Sequence, residues 1–156
     1  MTGTGHQALL DVPMTAFFAS RQCPGAAIRA GMDWALVQAR ARQVVTSGFH
    51  SPLEQSVLHL LLTARSPVVV VLARALTGVL LLPAWKTAIA EQRMAVVTAS
   101  TETPRLTNEL AARRNELVAQ LAGSIVIANA SAGGGLARQS ASWTQRGLQV
   151  SRLADG

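Results

Sequence analysis

The chain has 156 residues, the length of one domain with room for a sizeable core. Hydrophobic residues make up 49% of it and the mean hydropathy is +0.28, which excludes extended disorder. Thirteen Arg and one Lys against eight acidic residues leave a net charge of +6, so polyanions are candidate partners. Arginine favours planar, bidentate contact with phosphate or carboxylate; a coding bias toward Arg accounts for the same numbers. Cys23 is the lone cysteine, which excludes an intramolecular disulfide and a cysteine metal cluster and fits a reducing cytoplasm. The N-terminus lacks the basic segment and apolar core of a signal peptide. Residues 68–82 fall short of the roughly 20 residues that span a bilayer and carry Arg74 near the middle. They are expected to be a buried strand and a connection, and the chain to be soluble, cytoplasmic and without a membrane partner.

In chain order, residues 1–13 show no clear period and are expected as a loose leader, with 14–156 as the single domain. Met14 to Ala19 is an apolar run of strand length ending in Ser20-Arg21. A helix is expected from about Pro24 to Arg42, burying Ile28, Met32, Ala35, Leu36 and Ala39 at three- and four-residue spacing. Val44-Val45-Thr46 then runs into Ser47-Gly48, and a loop carrying His50 leads to a helix at Pro52. Proline suits a first helical turn, Ser51 is placed to cap it, and Glu54 stands where a capping box has its carboxylate. Such a turn is expected to leave backbone N–H groups facing a crevice, as an anion requires. Val68 to Ala73 reads as a central parallel strand, apolar on both faces, with Arg74 directly after it.

A helix from about Pro83 to Gln92 leads to a strand at Met94 to Thr98 and a polar loop. The next helix ends near Ala122 and contains Arg113-Arg114-Asn115, with Leu110, Leu117, Val118 and Leu121 as its apolar face. By spacing, one of the two arginines points inward, and a buried guanidinium requires a partner, either a carboxylate such as Glu54 or a bound phosphate. Asn115 could instead cap a restarted helix. A strand at Ser124 to Ala128 precedes Asn129 and the run through Gly133, Gly134 and Gly135, then a helix over 136–145 and a strand within 148–153. Strand and helix alternate throughout. The fold class is therefore α/β: a three-layer, Rossmann-like, doubly wound and mostly parallel sheet of about six strands. Polar and glycine-rich residues gather after the strands, at Ser20-Arg21, Ser47 to His50, Arg74, Thr98 to Thr103 and Asn129 to Gly135. A ligand site along that edge is expected.

This series resembles the Rossmann-like core of the DprA/Smf DNA-processing family, within the wider group of nucleotide-binding relatives that includes the LOG phosphoribohydrolases. The resemblance runs from about Met14 to Leu153 and rests on Ser20-Arg21, Ser47-Gly48-Phe49, Arg114-Asn115 and the late strand with Gly133 to Gly135. The family pattern SGxAxGID here reads SGFHSPLE, with His50 for Ala, Pro52 for Gly and Glu54 for Asp. Its following AH pair puts Leu58 where a histidine is expected, its RNR becomes Arg114-Asn115-Glu116, and its late threonine is missing. With no room for the extra domains of full-length members, a divergent, core-only relative is expected.

The resemblance implies binding of a nucleotide or of the phosphate backbone of single-stranded DNA, a role in DNA uptake or recombination, a homodimer and recombination-protein partners. Ser20, Arg21, Gly25, Ser47, Gly48, His50, Arg74, Arg114, Asn115, Gly133, Gly134 and Gly135 are the expected phosphate contacts. No cofactor or metal is expected. The few aromatic residues weaken a base-stacking mode and favour a mononucleotide. The alternatives are a LOG-like nucleotide hydrolase or a non-catalytic nucleotide-sensing module. For a hydrolase, Glu54 and His50 are the acid–base candidates, although a capping carboxylate and an exposed imidazole is the preferred reading of the pair. The LOG loop PGGxGTxxE is absent. Cys23, followed by Pro24 and with no adjacent histidine, reads as inert.

Overall fold

The computed structural model describes residues 1–76, 82–99 and 107–153. Its centre is a seven-stranded sheet ordered β1-β5-β4-β3-β2-β6-β7. The strands are β1 (Thr2–Gly5), β2 (Met14–Ala19), β3 (Val44–Ser47), β4 (Val68–Leu72), β5 (Met94–Thr98), β6 (Ser124–Asn129) and β7 (Val150–Arg152). All pairs are parallel except β1 with β5. The helices are α1 (Gly25–Ala41), α2 (Pro52–Thr63), α3 (Pro83–Ala90), α4 (Asn108–Leu121) and α5 (Gly135–Gln145). This is the expected three-layer α/β architecture, with one strand more than expected. Among the described residues no helix is long and apolar enough to cross a membrane.

The extra strand lies in the segment expected to be a loose leader. Thr2 to Gly5 pairs antiparallel with Ala95 to Thr98, and residues 7–11 form a 3-10 turn that brings Leu9 and Leu10 onto the core. Small polar residues gave no apolar period there, because an edge strand draws its order from its neighbour's backbone.

β2 is the hub. Its side chains alternate between faces, with Phe17 stacked on Trp34 of α1 at 5.0 Å and Phe18 tilted against Trp143 of α5 at 4.9 Å. Val68 to Val71 in β4 are fully buried on both faces, as a β-branched run in a central parallel strand should be. From β2 the chain steps outward through β3 and β4 to β5, and α1, α2 and α3 cover one face. It then returns to lay β6 on the other side of β2, and with right-handed crossovers α4 and α5 cover the opposite face. The order therefore reverses between β2 and β6, which opens a crevice beyond their C-terminal ends. A register shift at Phe18/Ala19 splays the two strands at that point.

The buried stripe of α1 keeps Ala35 and Ala39 of the expected one, with Met32 packed beside it, and departs from it at Ile28 and Leu36. Gly31, Ala35 and Ala39 face the core, while Ile28 and Leu36 are 45% and 40% exposed. Close approach to α2 decides this, since a Cβ on Gly31 would already stand 3.1 Å from a methyl of Leu53. The buried stripe is thus rotated toward the small residues, which fit the narrow gap.

Candidate functional site

The crevice at the reversal holds about 280 Å³. Ser20 and Arg21 enter it from the end of β2, His50 and Ser51 from the end of β3, and Glu54 from the first turn of α2. Ala111, Arg114 and Asn115 of α4 form one wall, and Ser131 and Leu136 form the side after β6. Turns separated by up to 111 residues thus meet on one rim, and Ser20 Oγ accepts from the Ser131 N–H at 2.8 Å to hold two of them together.

Glu54 is the keystone of the rim. It is buried, and its Oε2 accepts from the Ala19 N–H at 3.0 Å while Oε1 accepts from His50 N–H at 2.9 Å and Ser51 N–H at 3.2 Å. Ser51 caps α2 reciprocally, as the capping-box spacing led one to expect. The expectation that those amides face an external anion is corrected: the chain's own carboxylate already occupies that helix N-terminus. An incoming anion must be met by side chains and by the remaining turns.

Arg114 supplies the principal one. One helical turn from buried Val118, it is the inward arginine of the pair. Arg113 is exposed and bonds Glu109 at 2.8 Å. The guanidinium lies against the backbone of Gly48, so close that a Cβ there would overlap its Nε. That contact, and no left-handed turn, is why position 48 is glycine. Among the described residues no carboxylate lies within ion-pairing distance of Arg114, so of its two expected partners, a carboxylate such as Glu54 or a bound phosphate, the first is not in place. Its hydrogen bonds are long ones to Asn115 Oδ1, at 3.4 Å from Nε and 3.3 Å from Nη2. Burial pulls its pKa below the usual arginine value, and the charge of Glu54 offsets part of that. Asn115 caps no helix, because α4 runs unbroken from its cap at Thr107. Its amide nitrogen donates to Gln139 Oε1 at 3.1 Å and ties α4 to α5.

His50 is exposed at the rim through its side chain. Burial lowers its pKa first, Arg114 and Arg21 lower it further, and Glu54 works in the other direction. Cys23 donates to the Ser20 carbonyl at 3.3 Å, and burial with Glu54 nearby pushes its thiol pKa up, away from the reactive thiolate.

Other expected residues lie further out. Arg74 follows β4, two strands from β2, and is exposed outside the crevice lining. Gly25 opens α1 with open space around it, and Ser47 is fully buried below the loop, where its Oγ accepts from Phe49 N–H. Gly133 makes the left-handed turn (φ 75°) before α5, and Gly134 stands at that helix's N-cap without a side-chain cap. Gly135 lines an adjoining hollow of about 390 Å³ between α4 and α5 that shares Ala111, Asn115 and Leu136 with the crevice. Of the Thr98 to Thr103 group, residues 100–103 lie outside the described residues. Ala111 and Leu136 carried no chemical signal in the sequence and are found only through the fold. No group of three or more His, Cys, Asp or Glu able to hold a metal occurs among the described residues.

The chain superposes on DNA processing protein A (DprA) from Streptococcus pneumoniae with a TM-score of 0.77 at 18% identity, over 96% of this chain and 53% of that one. The fold is that of a DprA-like Rossmann domain. DprA from Helicobacter pylori, whose structure concerns its single-stranded DNA binding, matches with a TM-score of 0.77 at 17% identity, over 96% of this chain and 69% of that one. No protein-family model and no curated protein sequence matches the chain. It spans about half the length of the S. pneumoniae DprA, and the likeness to both is one of fold. The resemblance to the DprA/Smf core expected from the strand-end motifs is thus met at the level of architecture.

Proposed function

We propose that the crevice binds the phosphate of a nucleotide or of single-stranded DNA, and that the chain is a DprA-like binding protein rather than an enzyme. The observation that carries this reading is Arg114: a half-buried guanidinium without a carboxylate partner among the described residues, opening onto a hollow that Arg21 and His50 also line. A desolvated cation left this way is costly on its own and is offset by an anionic ligand. The single-stranded DNA binding of the H. pylori protein supports the same chemistry. Among the described residues no Phe or Trp lines the crevice, and Trp34 and Trp143 are committed to Phe17 and Phe18 in the core, so base stacking adds little there and the phosphate dominates. A nucleotide hydrolase would need the Glu54 carboxylate free to take a proton, and its three N–H partners favour binding over catalysis. A cytoplasmic homodimer acting beside recombination proteins is the wider setting that the resemblance suggests.

A salt titration of binding to fluorescent oligothymidylate tests this. With two or three phosphates neutralised, log K should fall with log salt at a slope of about −1.4 to −2.1; a flat response at low salt would remove the phosphate contacts from the account. Gly48→Ala should weaken the same binding about tenfold by pushing Arg114 aside, with stability changed by less than about 1 kcal/mol, as read by thermal melting. Unchanged affinity in that variant would mean that Arg114 does not need its seat on Gly48.

A further inference from the structure

We propose that His50 makes the crevice selective for a phosphomonoester dianion, the terminal phosphate of a nucleoside monophosphate or of a DNA 5′ end, over the singly charged diester inside a strand. This rests on the phosphate-binding reading and adds to it which phosphate is taken.

The argument is one of charge matching. Among the described residues, the ionisable groups around the hollow are Arg21 from the loop after β2, Glu54 from α2, Arg114 from α4 and His50 itself. From the far side, Asn115, Ser131 and Leu136 bring no charge. Two guanidiniums against one carboxylate leave a single positive charge, which a diester matches. A protonated His50 leaves two, which only a monoester matches, since its second ionisation lies near 6 and it is largely doubly charged at neutral pH.

Without a ligand, burial first, then Arg114 and Arg21, lower the His50 pKa against the opposing pull of Glu54, and this lowering disfavours the protonated form. A dianion reverses that balance, so the imidazole takes a proton from solvent as the ligand enters, and no bond in the ligand is made or broken. A group whose pKa is low in the free site and raised in the complex strengthens binding below its bound-state pKa. That gain is lost as pH rises through it. The hollow of about 280 Å³ is at the small end for ligand sites, suited to a phosphoryl group and part of a sugar. The adjoining space between α4 and α5 leaves room for the remainder.

The test compares thymidine 5′-monophosphate with its methyl diester, and 5′-phosphorylated with 5′-hydroxyl oligothymidylate of about 12 nucleotides, at pH 6.5 and pH 8.5 and constant low salt. The monoester of each pair should bind about three- to tenfold tighter at pH 6.5, since a rise of one pKa unit on His50 gives the full tenfold only below its free-site pKa. The ratio should shrink toward one at pH 8.5 and in His50→Ala at either pH. Calorimetry in two buffers of different ionisation enthalpy should register proton uptake with the monoester and none with the diester, a readout on the unaltered protein. Selectivity in the mononucleotide pair alone assigns the site to free nucleotides, and in the strand pair alone to DNA ends. Equal affinity within both pairs would overturn the inference and leave phosphate binding intact, as would selectivity that survives His50→Ala. Failure of all four ligands to bind would overturn both readings.

Discussion

Arg114→Met should abolish most phosphate binding while leaving the protein as stable as before, or more so. Methionine keeps an unbranched stem out to about the level of Nε, so part of the packing along Gly48 remains while the guanidinium and its charge are removed. A hydrogen bond to a charged group contributes about 1.5–3 kcal/mol, so loss of one such contact lowers affinity about 10- to 150-fold. On the stability side the guanidinium has little to lose. It is half-buried, its pKa is depressed by desolvation, and its protein partners are two long bonds to the adjacent Asn115. Replacing a poorly compensated buried charge by an apolar group of similar volume is often neutral or stabilising by about 1 kcal/mol or more, equivalent to a rise of about 2–4 °C in Tm for a chain of this size. Anisotropy with labelled oligothymidylate and a thermal melt on the same preparation decide it. A variant that melts well below the parent while binding normally would make Arg114 a structural residue and leave the crevice without its main cation.

The opposition between stability and binding at Arg114 also separates what the sequence disclosed from what it did not. Apolar runs such as Val68 to Val71 and the Ser51-Pro52-Glu54 signature mark a strand and a helix start through local physics, and both lie where expected. Three-residue spacing from Arg114 to Leu117 told that one arginine of the pair turns inward. It could not tell that the guanidinium would rest on Gly48, a contact across 66 residues of chain that exists only once β3 and α4 share an edge. Arg74 follows the same local grammar as Arg21, a basic residue directly after a buried strand. It falls outside the crevice because β4 lies on the outward side of β3, and spatial strand order is not written in any single run of residues. The rotation of the buried stripe of α1 toward Gly31, Ala35 and Ala39 was likewise set by the gap to α2, and β1 was hidden because its order is borrowed from β5. Local chemistry therefore named the turns, and the reversal between β2 and β6 selected which of them share a site.

Glu54→Ala should destabilise the protein by about 2–4 kcal/mol, lowering Tm by roughly 5–15 °C. The size follows from the three donors that Glu54 satisfies. Loss of the capping box at α2 costs about 0.5–2 kcal/mol, and stranding the N–H of Ala19, which is only 4% exposed, adds about 1–3 kcal/mol because water cannot replace the carboxylate there. Glu54→Gln sharpens the test. Its carbonyl can still accept from His50 and Ser51, but its amide then presents a donor to the Ala19 donor, so that variant should lose a substantial part of the same stability. Urea melts of both variants give the values directly. A purely chemical role for Glu54 would show the reverse: melting unchanged in Glu54→Gln and only turnover lost. If instead Glu54→Gln melts early and the folded fraction still binds oligothymidylate, the carboxylate serves the architecture of the rim. The anion that α2 would otherwise attract has then been supplied from within the chain, and an external phosphate is left to the two arginines and His50.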